Sequence, residues 1–226
     1  MIIESNGISI ERLREKDIEM VRKWRNSNFV KQHMNYRENI TPEMQKEWFK
    51  SVDNFNNFYF LIIYKNTKVG LGNIKDVNWE DRTGEAGVFV TKQNFTGSFL
   101  PVVGALTLSD IVFKVMKFNR LLAQIRPDNP RSKKFNRLMG FKMAEGQEGK
   151  ESQLHYLTGE AFYRTTKKFF LLMKPMGFSR GNMSISFDQE DFDTGFADKF
   201  IELIEQSDLK FERTEKDGNT IFSEIA

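Results

Sequence analysis

Glu85-Ala-Gly-Val-Phe-Val-Thr-Lys-Gln-Asn-Phe-Thr-Gly97-Ser-Phe-Leu-Pro101-Val-Val-Gly104-Ala-Leu-Thr-Leu108 reads as a strand, a turn holding one glycine, and the first turns of a helix. Gly87 to Val90 is a short apolar run rich in β-branched and aromatic residues, the composition of a strand. Gly97 can take the positive φ that a tight strand-to-helix loop needs. Pro101 suits a helix's first turn, where its missing N–H costs nothing. Leu100, Val103, Gly104, Thr107, Leu108, Ile111 and Val115 recur at three- and four-residue steps, one face of a helix running to Met116. The loop's free N–H groups and the helix dipole would together hold anionic phosphates.

The chain around this stretch has 226 residues, enough for one large domain or one of typical size with an appendage. Hydrophobic residues make up 39%, and 22 Phe suffice for a sizeable core, which sets disorder aside. Without cysteine there are no disulfides, thiolate nucleophiles or thiolate metal sites, and a cytoplasmic protein is expected. His33 and His155 are too few for a histidine-rich metal site, so no metal is expected. The 34 basic and 31 acidic residues give no bulk electrostatic case for nucleic acid. No apolar run of about 18 residues is present, so no membrane partner is expected. Met1 to Asn6 lacks the basic and apolar regions of a signal peptide.

Working outward, Ile8 to Leu13 alternates as strands do. Asp17 is placed to cap a helix through Val21 and Arg25. Thr41-Pro42-Glu43 starts a second helix, to Val52. Phe58–Tyr64 and Val69–Ile74 read as a hairpin turning at Lys65 to Lys68. Downstream, Arg120–Ile125 is a strand, and a helix from Pro130 ends at Gly140, a natural C′ glycine. Phe141–Ala144 and Leu154–Leu157 form a further strand pair, and a helix past Gly159 runs through Leu171. A strand at Ser184–Phe187, a helix over Phe192–Gln206 and a hairpin turning at Asp217-Gly218 follow. The order mixes antiparallel hairpins with one crossover unit. It predicts an α+β (mixed α/β) domain over residues 1–173, one central sheet flanked by helices, with residues 174–226 as a small α+β extension.

Three local sequences then align with a known pattern: Gly97 in its loop, Asn129 closing a strand with Ser132 three residues on, and Gly140-Phe141 between helix and strand. Over Ile8 to Thr158 the chain resembles the GNAT N-acetyltransferases. Asp17, Trp24-Arg25-Asn26, Met34, Ile40 and Trp48 look like the branch that includes ribosomal-protein N-terminal and amino-sugar-nucleotide acetyltransferases. The resemblance implies acetyl-CoA as donor and a primary amine, of a small molecule or a peptide, as acceptor. It implies that main-chain groups of Val88, Phe89 and Val90 hold the pantetheine arm. It further implies that N–H groups of Phe95, Thr96, Gly97, Ser98, Phe99 and Leu100 hold the pyrophosphate, with Asn129 and Ser132 on the cofactor's other side. Lys92, Lys133 or Lys134 could pair with its phosphates. Two positions depart from the pattern. Phe99 stands where the family's loop has a second small residue, and Asn136 stands where many members carry a tyrosine as general acid. Tyr156 and Tyr163 are distant candidates for that role. The two departures favour an alternative, a non-catalytic acetyl-CoA-binding scaffold.

Acetyl transfer needs the amine neutral, and amines of pKa about 8 to 10 must lose a proton first. Glu85 is the first candidate base, and His33, whose imidazole titrates near neutrality, the second. Main-chain N–H groups of the Val88 strand suit the oxyanion that forms. Trp24, Arg25, Asn26, Asp76 and Trp79 are expected on the acceptor side, with Arg25 available to an acceptor phosphate. The extension could serve acceptor binding, a partner, or a homodimer.

Overall fold

A computed structural model describes residues 1–34, 36–92, 95, 98–176, 178 and 181–225. Its strands are β1 (Ile2–Ser5), β2 (Ile8–Arg12), β3 (Phe58–Tyr64), β4 (Thr67–Asn78), β5 (Thr83–Val90), β6 (Arg120–Ile125), β7 (Lys142–Met143), β8 (Gln153–Leu157), β9 (Ser184–Phe187), β10 (Phe211–Lys216) and β11 (Asn219–Glu224). All eleven join one sheet, in the order β10-β11-β9-β1-β2-β3-β4-β5-β6-β8-β7. Every neighbouring pair is antiparallel except β5 with β6, which the expected crossover helix connects. The helices are α1 (Ile18–Asn26), α2 (Asn28–Lys31), α3 (Pro42–Val52), α4 (Leu100–Asp110), α5 (Pro130–Met139), α6 (Gly159–Met173), α7 (Gln189–Asp193) and α8 (Phe196–Glu205).

Local chemistry sets most of these boundaries. Thr41 caps α3 by accepting from Met44 N at 3.2 Å, with Pro42 behind it in the first turn. Gly140 ends α5 at φ 101°, where an added Cβ would meet Thr165 Oγ1 at 3.0 Å. The Asp17 cap and the single Phe192–Gln206 helix need correction, and two further elements join the expected ones. Asp17 makes no capping bond; its carboxylate reaches across to Lys68 on β4, 2.6 Å away, because an ion pair outcompetes a cap. Asn6 and Gly7, at φ 55° and 81°, form a two-residue turn that makes β1 and β2 a hairpin. The short helix α2 follows α1 directly and is capped by Ser27. The helix expected over Phe192–Gln206 is two, divided at Gly195 with φ 67°. Beyond Asp110, α4 widens into a π turn over Ile111–Val115.

The sheet buries both faces. Phe60, Ile62, Val103, Leu106 and Phe162 belong to the main core on the α4 side. On the other face Leu13, Val21, Leu61 and Leu71 pack beneath Trp24, Trp48 and Tyr59. The C-terminal segments lengthen this sheet: β9 pairs with β1 (Ile3 opposite Ile185) and β11 with β9. Aromatic rings tie them to the centre, with Phe196 5.6 Å from Phe55 and Phe200 6.3 Å from Phe58.

Polar contacts reinforce that joint. The Arg14 guanidinium holds Asp188 at 2.8 Å and Asp191 at 3.2 Å, and also contacts Glu190. Arg12 reaches Asp53 at 2.8 Å and Asp191 at 3.3 Å, and lies 3.9 Å over the Phe196 ring. Burial opposes ionisation of Asp188, but the bond from Arg14 and neighbouring positive charge outweigh it, and its pKa is pushed down from 3.8 to about 2. A carboxylate depressed in the fold stabilises it above its unfolded pKa and loses that contribution as pH falls through the folded value. Stability is therefore expected to decline between pH 3.8 and about 2 as Asp188 takes up its proton. Arg14→Met, which leaves the fully buried Asp191 with less compensation, is expected to lower the unfolding free energy by about 3 kcal/mol in urea titrations and to flatten that decline.

Candidate active site

β5 pairs with β4 from Thr83 opposite Asn78 to Val90 opposite Gly70. With β6 it pairs from Thr83–Arg120 to Glu85–Leu122 and no further. Past Glu85 the two strands part, and the β6-facing main chain of Ala86 to Val90 is left without a partner strand. A cleft of about 400 Å³ opens at this gap.

Side chains alternate along a strand, so the gap is reached from both faces of the sheet. Ala86 and Val88 lie with α4 against the main core, while Phe89 lies with Trp24, Trp48 and Tyr59 on the opposite face. Glu85 and Gly87 share the parity of Phe89. The cleft is accordingly walled by Val102, Ala105 and Leu108 of α4 on one side and by Phe29, His33 and Met34 around α2 on the other. Asn129, Ser132 and Asn136 of α5 close it opposite β5.

Glu85 stands directly across from Lys75 of β4, whose Nζ is 3.2 Å from its carboxylate. Lys75 also holds Asp76 at 2.8 Å. Burial works against the Lys75 charge, yet the contacts to Asp76 and Glu85 prevail and raise its pKa above the ordinary lysine value. Lys75 is thus a cation that fixes the orientation of Glu85. The Asn73 amide lies over Gly87, where a Cβ would come within 2.7 Å of Asn73 Oδ1, and its nitrogen donates to Glu85 O at 3.4 Å. His33 sits exposed at the cleft mouth, edge-on to Phe29 with ring centroids 6.5 Å apart.

Asn129 Oδ1 accepts from Ser132 N at 2.9 Å and so caps α5. Asn136 Nδ2 donates to Ser132 O at 2.9 Å and to Ser132 Oγ at 3.2 Å, so its donors are engaged within the helix. At the start of α4, Ser98 Oγ accepts from Leu100 N at 3.2 Å, and Ser98 and Pro101 face the cleft.

The acetyltransferase (GNAT) domain family matches residues 8–142. This chain belongs to the GNAT acetyltransferases. Solved structures show the same fold at low identity. A spermidine N-acetyltransferase from Vibrio cholerae, determined with CoA and spermine, superposes with a TM-score of 0.60 at 14% identity, covering 69% of this chain and 98% of that one. FdhC, a nucleotide-linked sugar GNAT, gives 0.63 at 16% identity over 75% and 96% of the two chains. PseH, an N-acetyltransferase of Campylobacter jejuni, gives 0.51 at 16% identity over 68% and 99%. No curated protein sequence matches. As a GNAT N-acetyltransferase the chain takes acetyl-CoA as its acetyl donor.

The GNAT cleft gathers Glu85, His33, Val88, Phe89, Val90, Ser98, Asn129 and Ser132. Leu100 is buried at the start of α4, and Phe95 and Phe99 pack on the main core. The Phe99 ring is therefore absorbed by the core and is not part of the cleft lining. Thr96 and Gly97 lie outside the described residues. Among the described residues, Trp24, Arg25, Asn26, Asp76 and Trp79 are not part of the lining either. The Asn26 amide bridges Ile40, donating to its O at 2.8 Å and accepting from its N at 2.9 Å. Trp79 stacks on Phe55 at 5.3 Å and donates to Phe55 O at 3.2 Å. Asp76 is an exposed partner of Lys75, and Trp24 packs on the smaller core. Tyr156 and Tyr163 are likewise away from the lining.

Asn73, Lys75, Phe29 and Arg131 escaped the sequence reading. Asn73 and Lys75 carried a usable signal: two polar residues at alternate positions of an apolar strand mark a face that opens. Phe29 and Arg131 carried none. Asn129→Ala, which removes the α5 cap, is expected to lower stability by about 1 kcal/mol in urea titrations and to weaken acetyl-CoA binding in a thermal-shift assay.

Proposed function

We propose that this GNAT enzyme acetylates the primary amine of a small anionic acceptor, of the amino-sugar-nucleotide class, with Glu85 as general base. One observation carries the reading: Glu85 stands where β5 leaves β6, on the sheet face opposite α4. Donor and acceptor would then enter the gap from opposite faces. The residues present suit the donor. The unpartnered β5 edge offers a ladder of amide groups to an extended pantetheine chain, Ser98 and the α4 N-terminus face the phosphate end, and Asn129 and Ser132 stand opposite. Acetyl-CoA supplies the activated acetyl group; as the new C–N bond forms the C–S bond breaks, and the departing CoA thiolate takes its proton from solvent, the Asn136 amide being engaged with Ser132. Glu85, held by Lys75, takes the proton of an amine arriving past Phe29 and His33, directly or through water. Main-chain N–H groups of β5 face the charge that develops on the carbonyl oxygen.

Charge narrows the acceptor. Among the described residues Glu85 is the one carboxylate lining the cleft, and Lys75 already pairs with it. A polyamine, with several cations, finds little to hold it there. Arg25, by contrast, is half-buried over the Trp48 ring at 5.6 Å, and it makes no ion pair among the described residues. Burial lowers its pKa, against a weak pull from Tyr59 and Tyr36. A desolvated guanidinium without a carboxylate, on the acceptor face beside Tyr59, suits an acceptor phosphate.

The test is a panel of amines scored by acetyl-CoA-dependent thiol release. Amino-sugar nucleotides are expected to turn over best, and preference for spermidine or a peptide N-terminus would overturn the acceptor assignment. Glu85→Gln is expected to lower kcat about 100-fold or more with acetyl-CoA affinity nearly unchanged. Arg25→Met is expected to raise KM for a nucleotide-linked acceptor about tenfold or more while sparing KM for acetyl-CoA.

A further inference from the structure

α6 buries Phe162, Thr166, Phe170 and Met173 against the body of the protein. Its opposite stripe, at steps of three and four, reads Arg164, Lys167, Lys168, Leu171, Leu172. Helices of soluble chains place cations where water is and leucines where it is not. Here both share the solvent face. Leu171 is 70% exposed and Leu172 65%, and Met176, in the turn that follows, is 52% exposed. The polarity runs lengthwise: cations fill the middle turns, and the aliphatic side chains gather at the end beside exposed Lys174. Arg164 pairs with Glu160 at 3.2 Å, while Lys167, Lys168 and Lys174 make no ion pair among the described residues.

We infer that this end of α6 is an interfacial face that adsorbs on an anionic lipid bilayer. Charge complementarity selects the occupant. A second copy docking here by twofold symmetry would bring two like-charged stripes together, with Glu160 the one acid on each helix to answer them. A nucleic acid would answer the lysines with its phosphates but offers no hydrocarbon to Leu171, Leu172 and Met176. A bilayer of mobile anionic headgroups needs no more than point charges, and the hydrocarbon beneath them accepts Leu171, Leu172 and Met176. The absence of an apolar run long enough to span does not bear on such a face, because adsorption uses a short amphipathic segment. The surface is separate from the cleft, since none of these residues lines it.

The test is sedimentation of the full chain with phosphatidylcholine vesicles, with and without phosphatidylglycerol. Partition is expected to be about tenfold or more stronger on the anionic vesicles and to weaken as salt is raised. Leu171→Ser with Leu172→Ser, and separately Lys167→Glu with Lys168→Glu, are each expected to reduce it about tenfold. Both pairs are exposed, so urea unfolding and acetyl-CoA binding should match the parent chain. Absence of binding, equal binding to neutral vesicles, or full binding by both variants would overturn the inference. So would a concentration-dependent dimer abolished by the leucine substitutions, or preference for duplex DNA over vesicles.

Discussion

The parting of β5 from β6 is the constraint on which the site depends. A sheet that stops pairing midway leaves polar main-chain groups exposed, each of which would lose about 1–3 kcal/mol if buried unpaired. Two features keep the gap open rather than letting the strands close. β4 holds β5 in register to Val90, so β5 cannot follow β6 as it turns away. α4, the connection between them, lies tight against the sheet at Gly104, where a Cβ would stand 2.8 Å from Ile62 Cδ1. The open edge is thus a product of rigid neighbours, and the candidate site occupies the place where the sheet is incomplete.

Two guanidiniums, Arg14 buried and Arg25 half-buried, show how the same residue type serves opposite ends. Arg14 is surrounded by Asp188, Glu190 and Asp191, and its charge is answered inside the protein. Such a group fixes structure and has nothing left to offer a ligand. Arg25 rests on an aromatic ring and draws on no carboxylate among the described residues. Its location on the Trp24–Trp48–Tyr59 face, rather than its identity, distinguishes a candidate ligand contact from a strut.

What could be read in the sequence was what local physics decides. The strand through Glu85–Val90, the helix start at Pro101, the Thr41 cap and the Gly140 stop follow from strand propensity, φ preferences and orphan N–H groups, and each is where those rules put it. What could not be read depends on register and on distant partners. Asp17 looks like a cap until β4 delivers Lys68 to it. Trp79 and Asn26 look like acceptor contacts until Phe55 and Ile40 engage them. Glu85 could be singled out by its place in a familiar pattern, but its pairing with Lys75 needs the register of β4 against β5. The joining of residues 184–224 to the same sheet was beyond reach for the same reason: nothing local in Ile2–Ser5 names Ser184–Phe187 as its neighbour.

That long-range pairing has a consequence for how the chain matures on the ribosome. β1 leaves the ribosome well before its outer neighbour β9, which lies far downstream in the chain. Until β9 emerges, Ile3 and the backbone donors along that side of β1 form a bare template on which another nascent chain could add a strand. Pairing with β9 ends this exposure, and the outermost strand β10, Phe-Glu-Arg-Thr-Glu-Lys, presents charges along the new edge. Strands β9 to β11 therefore act as a selvage, woven after the body of the sheet, that keeps the acetyltransferase from fraying into its neighbours.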